Sequence, residues 1–215
     1  MSIQNHDMFC YGNFPQPPDW LISNIKKSVE IGYRLKKGVQ FIDRPSATKQ
    51  DFEEFHRTRK EYDLAGEKYS RAIYRRYELS SNSLDWIREN IGEFTQCGSQ
   101  LMRDGESFLP HTDGGPRRYI INYLVDPGGD TVSTDWYREP GHDVYRDGPP
   151  LHLNQSQNLE LLHREVFATN SWTVLYGKVL HAVSGMTRPR IQLSMGLSAE
   201  EFLKVKERFN LELTY

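Results

Sequence analysis

From about residue 99 to residue 198 the apolar residues stop recurring every three or four positions. They alternate, or gather in short runs broken by glycine, proline and asparagine. This change of period constrains the fold more than any other feature of the chain. "SQLMRDGESFLPH" reads as two strands around a turn at Asp104-Gly105. "RRYIINYLVDPGG" is a strand ended by a Pro-Gly-Gly turn. "DTVSTDWYRE" alternates and is rich in residues that suit a pleated surface. "LELLHREVFATNS" ends in a turn at Asn170-Ser171. "SWTVLYGKVLHAVSG" is two strands broken at Gly177-Lys178, and "RPRIQLSMGLS" is a last strand. Short strands separated by turn signals predict an antiparallel sandwich or barrel.

Residues 1–95 carry the opposite signal and read as mostly helical. Pro17, Pro18 and Asp19 open a helix whose stripe is Leu21, Ile22, Ile25 and Val29. "SATKQDFEEFHRTRKEYDLAG" reads as a highly charged, solvated helix, or a helix and a loop. "SNSLDWIRENIGEF" is the clearest helix of this part: Ser81 to Ser83 can cap it, Leu84, Ile87 and Ile91 form its stripe, and Gly92 stops it. At the other end of the chain, Ser198 and Glu201 have the spacing of a capping box. Phe202, Val205 and Phe209 follow as a stripe, so a helix is expected to pack outside the sheet. The expectation is a single domain, mainly β with flanking helices: a helical support over 1–95, a strand core over 96–198 and a C-terminal helix over 199–215.

With 215 residues, 37% of them hydrophobic and 26% charged, the chain can bury a substantial core and is not compositionally disordered. The formal net charge is -2 and the basic residues are scattered among acids, so a nucleic-acid partner is not expected. No apolar run reaches the length of a membrane span. Cys10 and Cys97 are far apart and form no CxxC pattern. The first residues show no basic start before an apolar stretch. Both features point to free thiols in a reducing, cytoplasm-like compartment.

The chemistry begins at "HTDGG". The plain reading is a turn. The sharper one uses His111 and Asp113: two apart on a strand, they point to one face and offer a nitrogen and an anionic oxygen to Fe(II), Mn(II) or Zn(II). A pair holds a metal weakly, so a third ligand is needed. Of seven histidines, His6 and His56 read as surface, His142 and His152 lie in a long polar excursion over 138–158, and His163 reads as a structural strand residue. His181 is different. It lies within an apolar strand, where an imidazole needs a partner, and a metal is one. Beyond it, Arg190, Gln192 and Ser194 share one strand face, and Ile191, Leu193 and Met195 share the other. A guanidinium inside a barrel suits a carboxylate, which its fork binds with two hydrogen bonds. Arg188 is the second candidate, though Pro189 assigns it to the preceding turn.

"HTD" at 111–113, "HAV" at 181–183 and Arg190 stand in an order that resembles the 2-oxoglutarate- and Fe(II)-dependent oxygenases, in their prolyl-hydroxylase-like branch. "INYLVDPGGDT" and "NSWTVLYGKVLHAV" look like the family as well, and the resemblance covers residues 96–198. It implies a double-stranded β-helix, a jelly roll of two antiparallel sheets buttressed by the N-terminal helices. It implies that His111, Asp113 and His181 hold Fe(II), that 2-oxoglutarate chelates through its keto acid end, that Arg190 holds the distal carboxylate, and that O2 takes the remaining position. Decarboxylation to succinate would then drive hydroxylation of a small molecule or a protein side chain. Asp113 supplies the carboxylate, so a halide in its place is not expected.

Several residues remain open between roles. Tyr119 and Tyr123 share one face of their strand and Asn122 the other; whichever faces inward is a candidate to bond the cosubstrate. Arg103 is a lesser candidate. Trp136 and Tyr137 suit either the core or a substrate entrance. Two other function classes compete: a cupin-like protein that binds a metal or small acid without oxidising anything, and a Zn(II) hydrolase, for which Glu106 is the only nearby acid.

Overall fold

The computed structural model describes residues 8–34, 75–102, 108–113, 117–146 and 158–213. In chain order it contains β1 (Phe9–Tyr11), α1 (Asp19–Arg34), β2 (Arg75–Tyr77), α2 (Ser81–Asn90), β3 (Gln96–Met102), β4 (Phe108–His111), β5 (Tyr119–Asp126), β6 (Ser133–Arg138), β7 (Glu160–Glu165), β8 (Trp172–Tyr176), β9 (Leu180–Ser184), β10 (Arg190–Leu197) and α3 (Ala199–Phe209). The period-two runs became strands, and the breaks at Gly128-Gly129 and Gly177-Lys178 became connections between them.

Two antiparallel sheets result. The larger has the order β1-β8-β5-β10-β3-β2 and the smaller β4-β9-β6-β7. From β3 onward the chain visits the large sheet, the small one, the large one, the small one twice, then large, small and large again. That winding is a jelly roll, or double-stranded β-helix. It answers the edge problem of open sheets by facing two sheets against each other.

Helices cover the outer face of the large sheet. Leu21, Ile25 and Val29 of α1 are buried, as are Ile87 of α2 and Phe202 and Val205 of α3. Phe202 stacks on Tyr119 of β5, ring centroids 3.8 Å apart. The inner face of the large sheet looks across a polar cavity to the small sheet, whose edge strand β7 is largely exposed. The layers therefore run helices, large sheet, cavity, small sheet.

The C-terminal capping box is present as the sequence predicts. Glu201 N–H donates to Ser198 Oγ at 3.2 Å, and Ser198 N–H donates to a Glu201 carboxylate oxygen at 2.6 Å. Asn210 closes the helix in the left-handed region at φ 49°. Ser198→Ala should destabilise the fold by about 1 kcal/mol, read as a lower midpoint in urea with an unchanged slope.

Three expectations need correction or restriction. α2 is capped by Ser80, whose hydroxyl accepts from Ser83 N–H, and not by Ser81 to Ser83; Ser83 itself is buried inside the first turn. Residues 1–95 are not only helical: β1 pairs with β8, and β2 pairs with β3, as short edges of the large sheet. Three-residue strands are too brief to show alternation. The charged segment 46–66, the Asp104-Gly105 turn, Arg103, Glu106, His6, His56, His152 and residues 147–157 of the polar excursion lie outside the described residues.

Cys10 and Cys97 are free thiols. Burial pushes the Cys10 thiol up to about 11. Among the described residues no helix is long and apolar enough to cross a membrane.

Candidate metal centre and its cavity

β4 and β9 are neighbours in the small sheet, and their register sets His111 directly opposite His181. Opposite residues in an antiparallel pair share a face. The two rings accordingly meet, with centroids 4.4 Å apart. Asp113 joins them by a different route from the strand spacing read above. It lies two residues beyond the end of β4, and the β8–β9 turn holds it in place. Asp113 N–H donates to Gly177 O at 2.8 Å, and Lys178 Nζ donates to Asp113 O at 3.3 Å. A Cβ on Gly177 would lie 3.1 Å from Asp113 Cβ and 2.9 Å from Arg117 O. Only glycine lets the two segments approach this closely. The turn that separates β8 from β9 thus fixes Asp113 and leads directly into His181.

One donor atom from each of His111, Asp113 and His181 lies within 4.8 Å of the others. His181 Nδ1 is 2.9 Å from Val179 O, so its N–H donates to that carbonyl. This leaves the Nε2 lone pair pointing inward. Nε2 and Asp113 Oδ2 then face each other at 3.4 Å as two acceptors. A cation between them resolves that opposition. Burial alone would raise the Asp113 carboxyl. Arg117, together with the imidazoles of His181 and His111 whenever these are protonated in the absence of metal, outweighs burial and holds it well below the usual carboxylate range. The carboxylate is therefore ionised and ready to ligate. Two imidazoles and one carboxylate on one side of an ion, with the cavity opposite, fit a non-haem Fe(II) site with open positions.

Arg190, Gln192 and Ser194 of β10 line the same cavity. Leu193 and Met195, on the other face of the strand, are buried in the core and Ile191 packs against it. Arg190 is 5% exposed. Its Nε donates to Gln192 Oε1 at 3.3 Å, and Gln192 Nε2 donates to Gln100 Oε1 at 2.8 Å. No carboxylate pairs with Arg190 among the described residues, and burial pushes it down to about 10. It remains a cation at neutral pH, buried and facing a cavity. Arg188, in contrast, has a side chain 52% exposed and pairs with Asp126 on the surface. Between the two arginines, the structure brings Arg190 to the cavity.

Asn122 also lines the cavity, and its Oδ1 is buried without a hydrogen-bond partner among the described residues. Tyr119 and Tyr123 do not reach it. They point to the outer face of β5, where Tyr119 stacks on Phe202 and Tyr123 OH donates to Gln16 and packs on Trp172. The alternation was right, and the helices claimed the tyrosine face. Trp136 is fully buried against Phe9 and belongs to the core. Tyr137 OH donates to Asp135. His163 stacks on Phe9 and lies beside Glu165, and His142 lies near Glu139 on the surface. Neither joins the site.

Two residues that the sequence did not single out do join it. Gln100 comes from β3, directly across from Gln192. Arg117 lies against Asp113 and Ser194. Its position four residues after Asp113 fits no strand periodicity and so gave no signal in the sequence.

No protein-family model matches the sequence, and no curated protein matches it. Among solved structures, the chain is similar to a Pseudomonas putida prolyl-4-hydroxylase at 14% identity and a TM-score of 0.42, over 89% of this chain and 93% of that one. It is similar to a Trichoplax adhaerens prolyl hydroxylase, solved in complex with a hypoxia inducible factor oxygen degradation domain peptide fragment, at 10% identity and a TM-score of 0.42, over 95% and 88%. It is similar to a cupin-like protein from Thermotoga maritima at 8% identity and a TM-score of 0.28, over 49% of this chain; the match spans 58% of that protein's length. Likenesses at these values carry no functional weight.

Proposed function

We propose that this chain is an Fe(II)- and 2-oxoglutarate-dependent dioxygenase of the prolyl-hydroxylase-like kind, hydroxylating a small molecule or a protein side chain. The observation that carries the proposal is a combination. His111, Asp113 and His181 converge at a cavity whose wall also presents the buried cation Arg190, which pairs with no carboxylate among the described residues. A structural metal site needs no such cation.

Bound there, Fe(II) would supply open coordination positions at which a keto acid and O2 react, with 2-oxoglutarate oxidised to succinate and CO2. The protein's own part is positioning. His111, Asp113 and His181 present three donors from one side and leave the cavity side open. Val179 O holds His181 in the tautomer that directs Nε2 to the metal. Arg190 binds the far carboxylate of the cosubstrate in its fork, and Gln192, itself braced by Gln100, keeps that fork oriented. Asn122 offers its amide to the cosubstrate from β5. Arg190 is itself buried, which strengthens its interaction with a carboxylate relative to one in water.

Anaerobic calorimetry with Fe(II), followed by 2-oxoglutarate, tests this reading. The expected result is a single metal site and cosubstrate binding in the same cavity. A chain that retains no divalent metal contradicts it.

A further inference from the structure

We propose that Arg117 is a positioning residue for the metal centre, one that fixes which oxygen of Asp113 is presented to the ion. The inference rests on the metal-centre reading above and goes beyond it.

Arg117 is only 7% exposed. Its NH1 lies 3.4 Å from Asp113 Oδ1, and its NH2 donates to Ser194 Oγ at 3.3 Å. The other carboxylate oxygen, Oδ2, faces His181 Nε2 at 3.4 Å. The guanidinium thus occupies one oxygen of Asp113 and leaves the other toward the imidazoles. Its own place is fixed from both ends. The backbone is anchored next door, where Arg118 N–H donates to Leu197 O at 3.0 Å. The side chain runs across Gly196, where a Cβ would lie 2.5 Å from Arg117 Cγ and 2.8 Å from Nε. Gly196 is the gap in β10 that lets this arginine reach the carboxylate. Only a planar fork spans Asp113 and Ser194 together; a lysine ammonium is a single point.

Two effects of Arg117 on a dication oppose each other. Its charge repels the metal, and its contact orients a ligand. Substitutions separate them. Arg117→Met removes both charge and contact. Arg117→Lys and Gly196→Ala keep the charge and lose or displace the contact. Outer partners of metal ligands typically contribute about 10- to 100-fold in affinity. If positioning dominates, all three variants bind Co(II) more weakly, on the order of 10- to 100-fold for Arg117→Met.

The measurement is Co(II) titration of the full chain, followed by calorimetry and by the visible absorption of the bound ion. Circular dichroism identifies folded variants. Arg118→Met, which removes a neighbouring charge engaged with Tyr176, is the control and should leave Co(II) affinity unchanged. Weaker binding by folded Arg117→Lys and Gly196→Ala, with an altered absorption band, supports the role even if Arg117→Met does not fold. Tighter binding by Arg117→Met with unchanged Arg117→Lys overturns it, because repulsion then dominates. Unchanged affinity in Arg117→Lys and Gly196→Ala overturns it too. A wild-type chain that binds no Co(II) removes the metal centre itself, and this inference with it.

Discussion

Asp113→Ala should yield a folded chain that no longer retains Fe(II) and no longer turns over 2-oxoglutarate. In the proposed site three protein donors would hold the ion, and Asp113 is the only anion among them. Removing an outer partner of a metal ligand costs about 10- to 100-fold, so removing the anionic ligand itself should exceed roughly 100-fold. His111→Ala and His181→Ala should act likewise, since each leaves a pair. The fold should survive because Asp113 is in a loop fastened through its backbone N–H and C=O, which the substitution keeps. Asp113→Asn is the closer isostere and leaves Arg117 a neutral oxygen in place of a missing one. Metal content after anaerobic gel filtration, beside far-UV circular dichroism, checks both halves of the statement.

Arg190→Ala should raise the 2-oxoglutarate concentration needed for half-saturation while scarcely changing metal affinity. Truncating one partner of a buried, hydrogen-bonded charge pair costs about 2–5 kcal/mol, which corresponds to roughly 30-fold or more in affinity. Arg190→Lys should recover only part of the loss, because a point charge does not reproduce the fork. Arg188→Ala should change neither quantity: its side chain is half exposed and pairs with Asp126. The reverse outcome, an effect at Arg188 and none at Arg190, would place the carboxylate seat elsewhere. Calorimetric titration of the metal-loaded variants with 2-oxoglutarate distinguishes the two.

The strand core was legible because each jelly-roll strand is long enough to alternate and is bounded by a turn. The face rule placed Arg190, Gln192 and Ser194 together, and they line one cavity. The same rule separated Asn122 from Tyr119 and Tyr123 but did not say which face was inner. That was decided by α3, whose Phe202 takes Tyr119 as its stacking partner. Asp113 was chosen on a strand argument, yet it stands beyond β4. It reaches the imidazoles because a glycine in the distant β8–β9 turn admits its loop. Close approach of two backbones leaves no periodic trace, so neither that contact nor Arg117 was visible. The edge strands β1 and β2 were hidden by their brevity.

The proposed activity is oxidation of 2-oxoglutarate in this cavity, at a metal held by His111, Asp113 and His181. Succinate formation by the Fe(II)-reconstituted chain, supplied with 2-oxoglutarate and O2, tests it most directly. The expected result is succinate in excess of the protein, dependent on Fe(II) and lost in Asp113→Ala. Binding of metal and 2-oxoglutarate with no succinate, with or without candidate substrates, would identify a binding protein and contradict the account, as would undiminished turnover in Asp113→Ala.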